Sequence, residues 1–201
     1  MSWIQTISYQ NATGKLKALY DSIKGPNDYL DNILKVHSLK PHTLEGHMQL
    51  YKNVLHHRDN QLPKWLLEAV GVYVSLLNGC DYCAQHHLRG MSKLLDDEPR
   101  SNAIYDSLRQ NNPGSAFQDK EFTLFEYAEK LTVSLQKITE DDINKLRESG
   151  LNDEEILEIN QVVSYFAYAN RTVLGLGVNT DGDIIGLSPS DSEDPNNWQH
   201  K

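Results

Sequence analysis

Apolar positions recur along most of this chain at the three-to-four-residue spacing of helices with one buried face. Residues 1–12 break that pattern and read as extended or irregular. Thr13 is placed to cap a helix running to about Ile23, which Gly25-Pro26 ends. A second helical stretch runs from Tyr29 to about His37, and Lys40-Pro41 breaks it. Pro41 or Thr43 starts the next helix, through Met48, Leu50, Tyr51 and Leu55. Pro63 fits the first turn of a long helix carrying Trp65, Leu66, Leu67, Ala69, Val70, Val72, Tyr73, Val74, Leu76 and Leu77. That stretch is apolar nearly all round, which marks a central buried helix. It is too long and continuous to be a strand. Asn78-Gly79 stops it, and Cys80 or Asp81 opens another helix through Cys83, Ala84, His87, Leu88, Met91 and Leu94.

The second half is more polar but keeps the helical period. A short helix is expected after Pro99, and Asn111-Asn112-Pro113-Gly114 is a loop. Helical patterns resume at 121–135, 140–149 and 153–174, the last two opening on acidic first turns. The halves echo each other weakly. Leu67-Glu68 and Leu157-Glu158 each sit early in an apolar helix, and in that alignment Val72 matches Val162 and Cys80 matches Asn170. These elements define one all-α domain over residues 1–178. Residues 179–201, rich in Asp, Ser, Pro, Gly and Asn, form a polar tail whose few anchors are Ile184, Ile185 and Trp198.

Composition narrows the function classes. A formal net charge of −9 argues against nucleic acid or an anionic membrane as partner. No apolar run approaches the roughly 20 residues of a transmembrane helix. The start, Met1-Ser2-Trp3-Ile4-Gln5-Thr6, lacks the features of a signal peptide, so a cytoplasmic location is expected. The chain has 2 cysteines, three positions apart, which excludes a disulfide-stapled scaffold and points to redox or metal chemistry.

The informative stretch runs from Glu68 to His87. Cys80 falls at or just before the first turn of its helix, where unpaired backbone N–H groups and the helix dipole favour a thiolate. Cys83 and His87, at i and i+4, share a helix face, so His87 can take the Cys83 proton. Glu68 is the only carboxylate of its apolar helix. Buried alone it would cost several kcal/mol, so it needs a partner, and His87 is the natural one. His86 lies on another face and is expected at the surface, while His56-His57 precede a loop and are expected to cap a helix end.

The pattern Glu68…Cys80-Asp81-Tyr82-Cys83…His87 resembles the active-site signature of the alkylhydroperoxidase D-like (AhpD), carboxymuconolactone decarboxylase superfamily, in particular its peroxidase-related branch. Leu62-Pro63, the segment Phe125 to Leu131, Ile138-Thr139, Ala169-Asn170-Arg171 and Gly175 to Val178 extend the resemblance, as does the ending from Leu187 to Trp198. It implies an AhpD-like helical bundle built from a duplicated helical hairpin, assembled as a trimer or hexamer. It implies peroxide reduction or thiol–disulfide exchange without cofactor or metal, with a peroxide as substrate and a thiol or dithiol as electron donor. In that pattern Cys83 reacts with peroxide, Cys80 closes the disulfide, and Glu68 and His87 relay protons. One position departs: the best-known members carry histidine before the second cysteine, and here it is Tyr82. A phenol titrates near pH 10 and is a poor base, which leaves Tyr82 the part of a hydrogen-bond donor. Decarboxylase members generally lack the cysteine pair, so decarboxylation is discounted.

Two rival readings use the same residues. Zn²⁺ held by Cys80, Cys83 and histidines would have too few evident ligands, since structural zinc takes four. A non-catalytic interaction protein would keep only the scaffold. Trp3, Ile4 and Trp198, large apolar groups in terminal segments, are expected to dock on a neighbouring subunit.

Overall fold

The fold is built around one helix. In the computed structural model, which describes residues 2–187, α4 (Lys64–Leu77) buries every residue from Leu66 to Ser75. An element that apolar must be covered on all sides. The covering helices are α3 (Pro41–Leu55), α5 (Asp81–Leu95), α6 (Glu98–Arg109), α7 (Asp119–Val133) and α9 (Asp153–Leu176). With α1 (Gly14–Ile23), α2 (Asn32–Val36) and α8 (Glu140–Glu148) they make nine α-helices and no strand among the described residues. No described helix is long and apolar enough to cross a membrane.

Local chemistry sets most helix ends. At Asn78-Gly79 the chain closes a Schellman motif: Cys80 N–H donates to Ser75 O (2.8 Å) and Gly79 N–H to Leu76 O (3.1 Å). Gly79 takes φ +69°, the left-handed conformation that glycine adopts without steric cost. The turn delivers Cys80 as the N-cap of α5. Capping boxes, Thr139 with Asp142 and Asn152 with Glu155, start α8 and α9. Pro63 caps α4 from just outside it, and the helix near Pro99 begins at Glu98 and runs 12 residues.

The stretch expected to be helical from Tyr29 to His37 is helical only from Asn32 to Val36. Tyr29 is extended instead, and its hydroxyl is taken up by the segment after α9: it donates to Asp183 Oδ1 (2.9 Å) and accepts from Ile184 N–H (2.6 Å). Residues 179–187 are accordingly anchored by Asp183, whereas Ile184, expected to be an anchor, is 48% exposed. The Asp183 charge is satisfied by donors on other elements, a tertiary match that a polar composition does not reveal. At the other end, Trp3 N–H donates to Leu176 O of its own chain (2.8 Å), while the residue stays 80% exposed. Trp198 lies outside the described residues.

Candidate functional site

A small apolar cluster stands apart from the main core, made of Val36, Cys80, Tyr82, Cys83, Val173 and Val178. Both cysteines are free thiols, 1% and 3% exposed. They share a hydrogen bond that splits their acidities. Accepting from Cys83 holds Cys80 below the usual thiol range against the opposing effect of burial. Cys83, which supplies that hydrogen bond and is also buried, is pushed well above it. The Asn170 amide adds a hydrogen bond favouring the thiolate at either sulfur. Asn170 is itself fixed: it donates to Ser75 Oγ (3.1 Å) and accepts from Asn78 Nδ2 (2.9 Å).

Glu68 and His87 form the second part. Glu68 is 2% exposed, and its Oε2 lies 2.6 Å from His87 Nδ1. Burial alone would raise the Glu68 carboxyl, but the charge and hydrogen bond of His87, helped by His56, hold it below its usual range. The imidazole of His87 is fixed by the edge-on Phe166 ring, centroids 4.5 Å apart. Space for the carboxylate comes from Gly90 on α5, where a Cβ would sit 3.1 Å from the Glu68 carboxyl. In the neutral form of His87 with Nδ1–H donating to Glu68, the other nitrogen is an acceptor; in the charged form both nitrogens donate. His87, Glu68 and Cys83 line one cavity of about 50 Å³, walled also by Tyr51 and Tyr165. That holds a few water molecules. Cys80 is not part of its wall.

Tyr82 lines the same cavity, but its hydroxyl is engaged elsewhere. It donates to Asp183 Oδ2 (2.7 Å) and accepts from Ile33 N–H (3.1 Å). Burial and the nearby Asp183 and Asp31 push the phenol well above its ordinary range, so Tyr82 is a donor and not a base. Asp183 itself would be raised by burial, but His86, Tyr82, Asn32 N–H and Tyr29 hold it low.

Two histidines stand differently from expectation. His86 is not at the surface: its side chain is 10% exposed, it packs on Tyr82 (centroids 4.6 Å), and Nε2 lies 3.7 Å from Asp183 Oδ2. The segment carrying Asp183 crosses that face of α5 and covers it. His56 does end α3, its N–H donating to Lys52 O (2.9 Å), but its side chain also turns inward, with Nε2 3.6 Å from Glu68 Oε1. Sequence reasoning gave neither His56 nor Asp183 a place at the site. Nothing in their spacing relates them to α4 or α5. Asn170 had a faint signal, since the alignment of the two halves set it level with Cys80.

The helical scaffold is that of the AhpD-like class of all-α folds. The similarity to solved structures is explicit. An uncharacterised peroxidase-related protein from Ralstonia eutropha JMP134, with an AhpD core, superposes with a TM-score of 0.75 at 18% identity over 92% of this chain and 96% of its own. A peroxidase-related protein from Silicibacter sp. TM1040 gives 0.66 at 25% identity over 75% and 78%. The debrominase Bmp8 gives 0.67 at 16% identity over 89% and 90%. No family model and no curated protein sequence matches the chain.

Proposed function

We propose that the protein is a thiol-dependent peroxidase or disulfide oxidoreductase working through Cys83 and Cys80 without a cofactor. One observation carries the reading: a hydrogen-bonded thiol pair of divergent acidity puts one of its thiols, Cys83, in the wall of a cavity that a buried carboxylate–imidazole pair also lines. Perturbed titratable groups converging on one cavity are the usual mark of a reactive centre. The peroxidase-related and AhpD-core structural neighbours agree with it.

In this mechanism His87 takes the Cys83 proton, and Glu68 stabilises the imidazolium. The Cys83 thiolate attacks one peroxide oxygen. The S–O bond forms, the O–O bond breaks, and two electrons pass from sulfur to the departing alkoxide, which takes the proton back from His87 as the alcohol. The Cys80 thiolate then attacks the Cys83 sulfenic acid, forming the disulfide and expelling hydroxide. A dithiol donor reduces the disulfide by exchange. Cys83 is assigned the attacking part because it, and not Cys80, lines the cavity.

The test is peroxide consumption with several dithiol donors, wild type beside Cys83→Ser, with mass spectrometry of the protein after one equivalent of peroxide. Wild type should turn over and lose two hydrogens as the disulfide, while Cys83→Ser should do neither. Sulfinic acid with no disulfide stage would remove Cys80 from its resolving part. A wild type inert to peroxides that releases bromide from 2,3,4-tribromopyrrole, the molecule bound in a structure of the debrominase neighbour, would move the chemistry towards that of the debrominase.

A further inference from the structure

The cavity wall includes a buried hydroxyl that the scheme above does not use. Tyr165, on α9, is 3% exposed and lines the cavity with Cys83, Glu68 and His87. Its ring packs against Tyr51, His47 and Phe166, with centroids 5.8, 5.9 and 5.2 Å away. Its hydroxyl makes no hydrogen bond among the described residues. Other buried phenols differ. Tyr20, Tyr73 and Tyr82 donate to Ile7 O, Asn111 Oδ1 and Asp183 Oδ2, and Tyr127 accepts from Asn160 Nδ2. Buried hydroxyls are normally satisfied, because leaving one without a partner costs stability. An exception in the wall of a cavity points to a ligand that supplies the partner.

The helix that carries Tyr165 is already committed to this site. Its buried face includes Phe166, which holds the His87 imidazole edge-on, and Asn170, whose amide hydrogen-bonds the thiols. Ala169, one turn after Tyr165, is another part of the cavity wall. Burial, and next the neighbouring Cys83, push the Tyr165 phenol well above its ordinary range, so it keeps its proton near neutral pH. For Tyr51, the strongest influence after burial is Glu68, and the Tyr82 hydroxyl is taken by Asp183. Of the three phenols in the wall, Tyr165 is therefore the one placed to serve the thiol.

We propose that Tyr165 is a catalytic residue: its hydroxyl donates a hydrogen bond to the leaving oxygen of the peroxide while the Cys83 thiolate attacks the other oxygen. The proposal rests on the thiol reading above and extends it. As the S–O bond forms and the O–O bond breaks, the electron pair passes to the leaving oxygen, which takes its proton from the His87 imidazolium. Negative charge gathers on that oxygen in the transition state, and a fixed donor in a largely dry cavity stabilises it where it develops. Tyr165 begins and ends the step with its own proton. A cavity of about 50 Å³ leaves a bound peroxide little room away from its walls.

The experiment compares wild type with Tyr165→Phe, both as reduced full chains, in single-turnover oxidation of Cys83 by hydrogen peroxide and by peracetic acid. Hydrogen peroxide expels hydroxide, a strong base, and loss of the donor should slow that reaction roughly ten- to a hundredfold, less than a lone oxyanion donor is worth because His87 remains. Peracetic acid expels acetate, which carries its charge unaided, so there the loss should shrink to about threefold or less. Alkylation of Cys83 by iodoacetamide breaks no O–O bond and should keep its wild-type rate. The melting temperature should equal or exceed that of wild type, because phenylalanine deletes a hydroxyl that has no protein partner. Oxidation by hydrogen peroxide at the wild-type rate, equal slowing with both oxidants, or slowing of alkylation to match would each overturn the proposal. So would a clearly lowered melting temperature, which would give the hydroxyl a structural part. Its failure stays distinct from that of the thiol reading: equal rates in the two proteins remove Tyr165 alone, whereas a wild type whose Cys83 neither oxidant touches removes the reading beneath it.

Discussion

Glu68 and Asp183 are two buried carboxylates beside one cavity, and they are satisfied in opposite ways. Glu68 stands in the middle of an apolar helix and meets only imidazoles, His87 at 2.6 Å and His56 at 3.6 Å. Asp183 comes from an irregular segment and accepts from a backbone N–H, Asn32, and two tyrosine hydroxyls, Tyr29 and Tyr82, with His86 at 3.7 Å. Both face the same desolvation penalty, several kcal/mol for an uncompensated charge. Imidazoles can take and return protons near neutral pH, whereas N–H and phenol donors only hold a charge in place. In the proposed mechanism proton traffic therefore falls to the Glu68 side, while Asp183 anchors residues 179–187.

Exchanging each carboxylate for its amide sets the two sides against each other. Glu68→Gln should slow peroxide-driven disulfide formation by roughly ten- to a thousandfold, the lower range of a general-base contribution. Asp183→Asn should act mainly on stability, by about 1–3 kcal/mol, because the new NH2 group faces Asn32 N–H and one of the two tyrosine hydroxyls with a donor in place of an acceptor. Single-turnover kinetics and urea unfolding of both variants read the difference. A kinetic loss in Asp183→Asn as large as in Glu68→Gln would erase the distinction.

Gly90→Ala is a gentler probe of the Glu68 side. Its Cβ would press on the Glu68 carboxyl at 3.1 Å, but the substitution also gains about 1 kcal/mol of helix propensity. The two effects should leave the melting temperature nearly unchanged while the thiol reaction slows, a split that separates relay geometry from fold stability. An unchanged rate would mean that Glu68 tolerates displacement.

The smallest effect lies in the thiols themselves. Cys80 is lowered and Cys83 raised, so the thiolate on Cys80 persists as pH falls below the ordinary thiol range and is lost only below its own lowered pKa, while Cys83 stays protonated at pH values where a free thiol would ionise. Iodoacetamide labelling followed by peptide mass spectrometry across pH should show Cys80 alkylation with a midpoint below that of a free thiol, near pH 8.5, and Cys83 alkylation above it. Asn170→Leu, which removes a hydrogen bond to either thiolate, should move both midpoints upward. Equal midpoints for the two cysteines would show that the shared hydrogen bond does not set their acidities.

Some of this could be read from residues alone because it depends on neighbours in sequence. The apolar run from Trp65 to Leu77 forces a central helix, Asn78-Gly79 ends it, and the positions of Cys80, Cys83 and His87 follow from where the next helix starts. Glu68 was conspicuous for the same reason: a charge in an apolar helix must find a partner, and the α4–α5 hairpin brings His87 to it. Local rules of capping and periodicity suffice for such features because the interacting groups are held within a few turns of one another.

What lay beyond the sequence was every partner that arrives from a distance. His56 looked like a helix-ending residue and is one, whereas His86 was expected at the surface and Asp183 in a polar tail, and both side chains are buried. Only the packing of α3 beside α4, and of residues 179–187 across α5, turned them towards Glu68 and Tyr82. A side chain's helical face is a property of its own few turns, but whether that face meets water or a buried charge depends on chain segments up to about a hundred residues away, which short-range pattern does not encode.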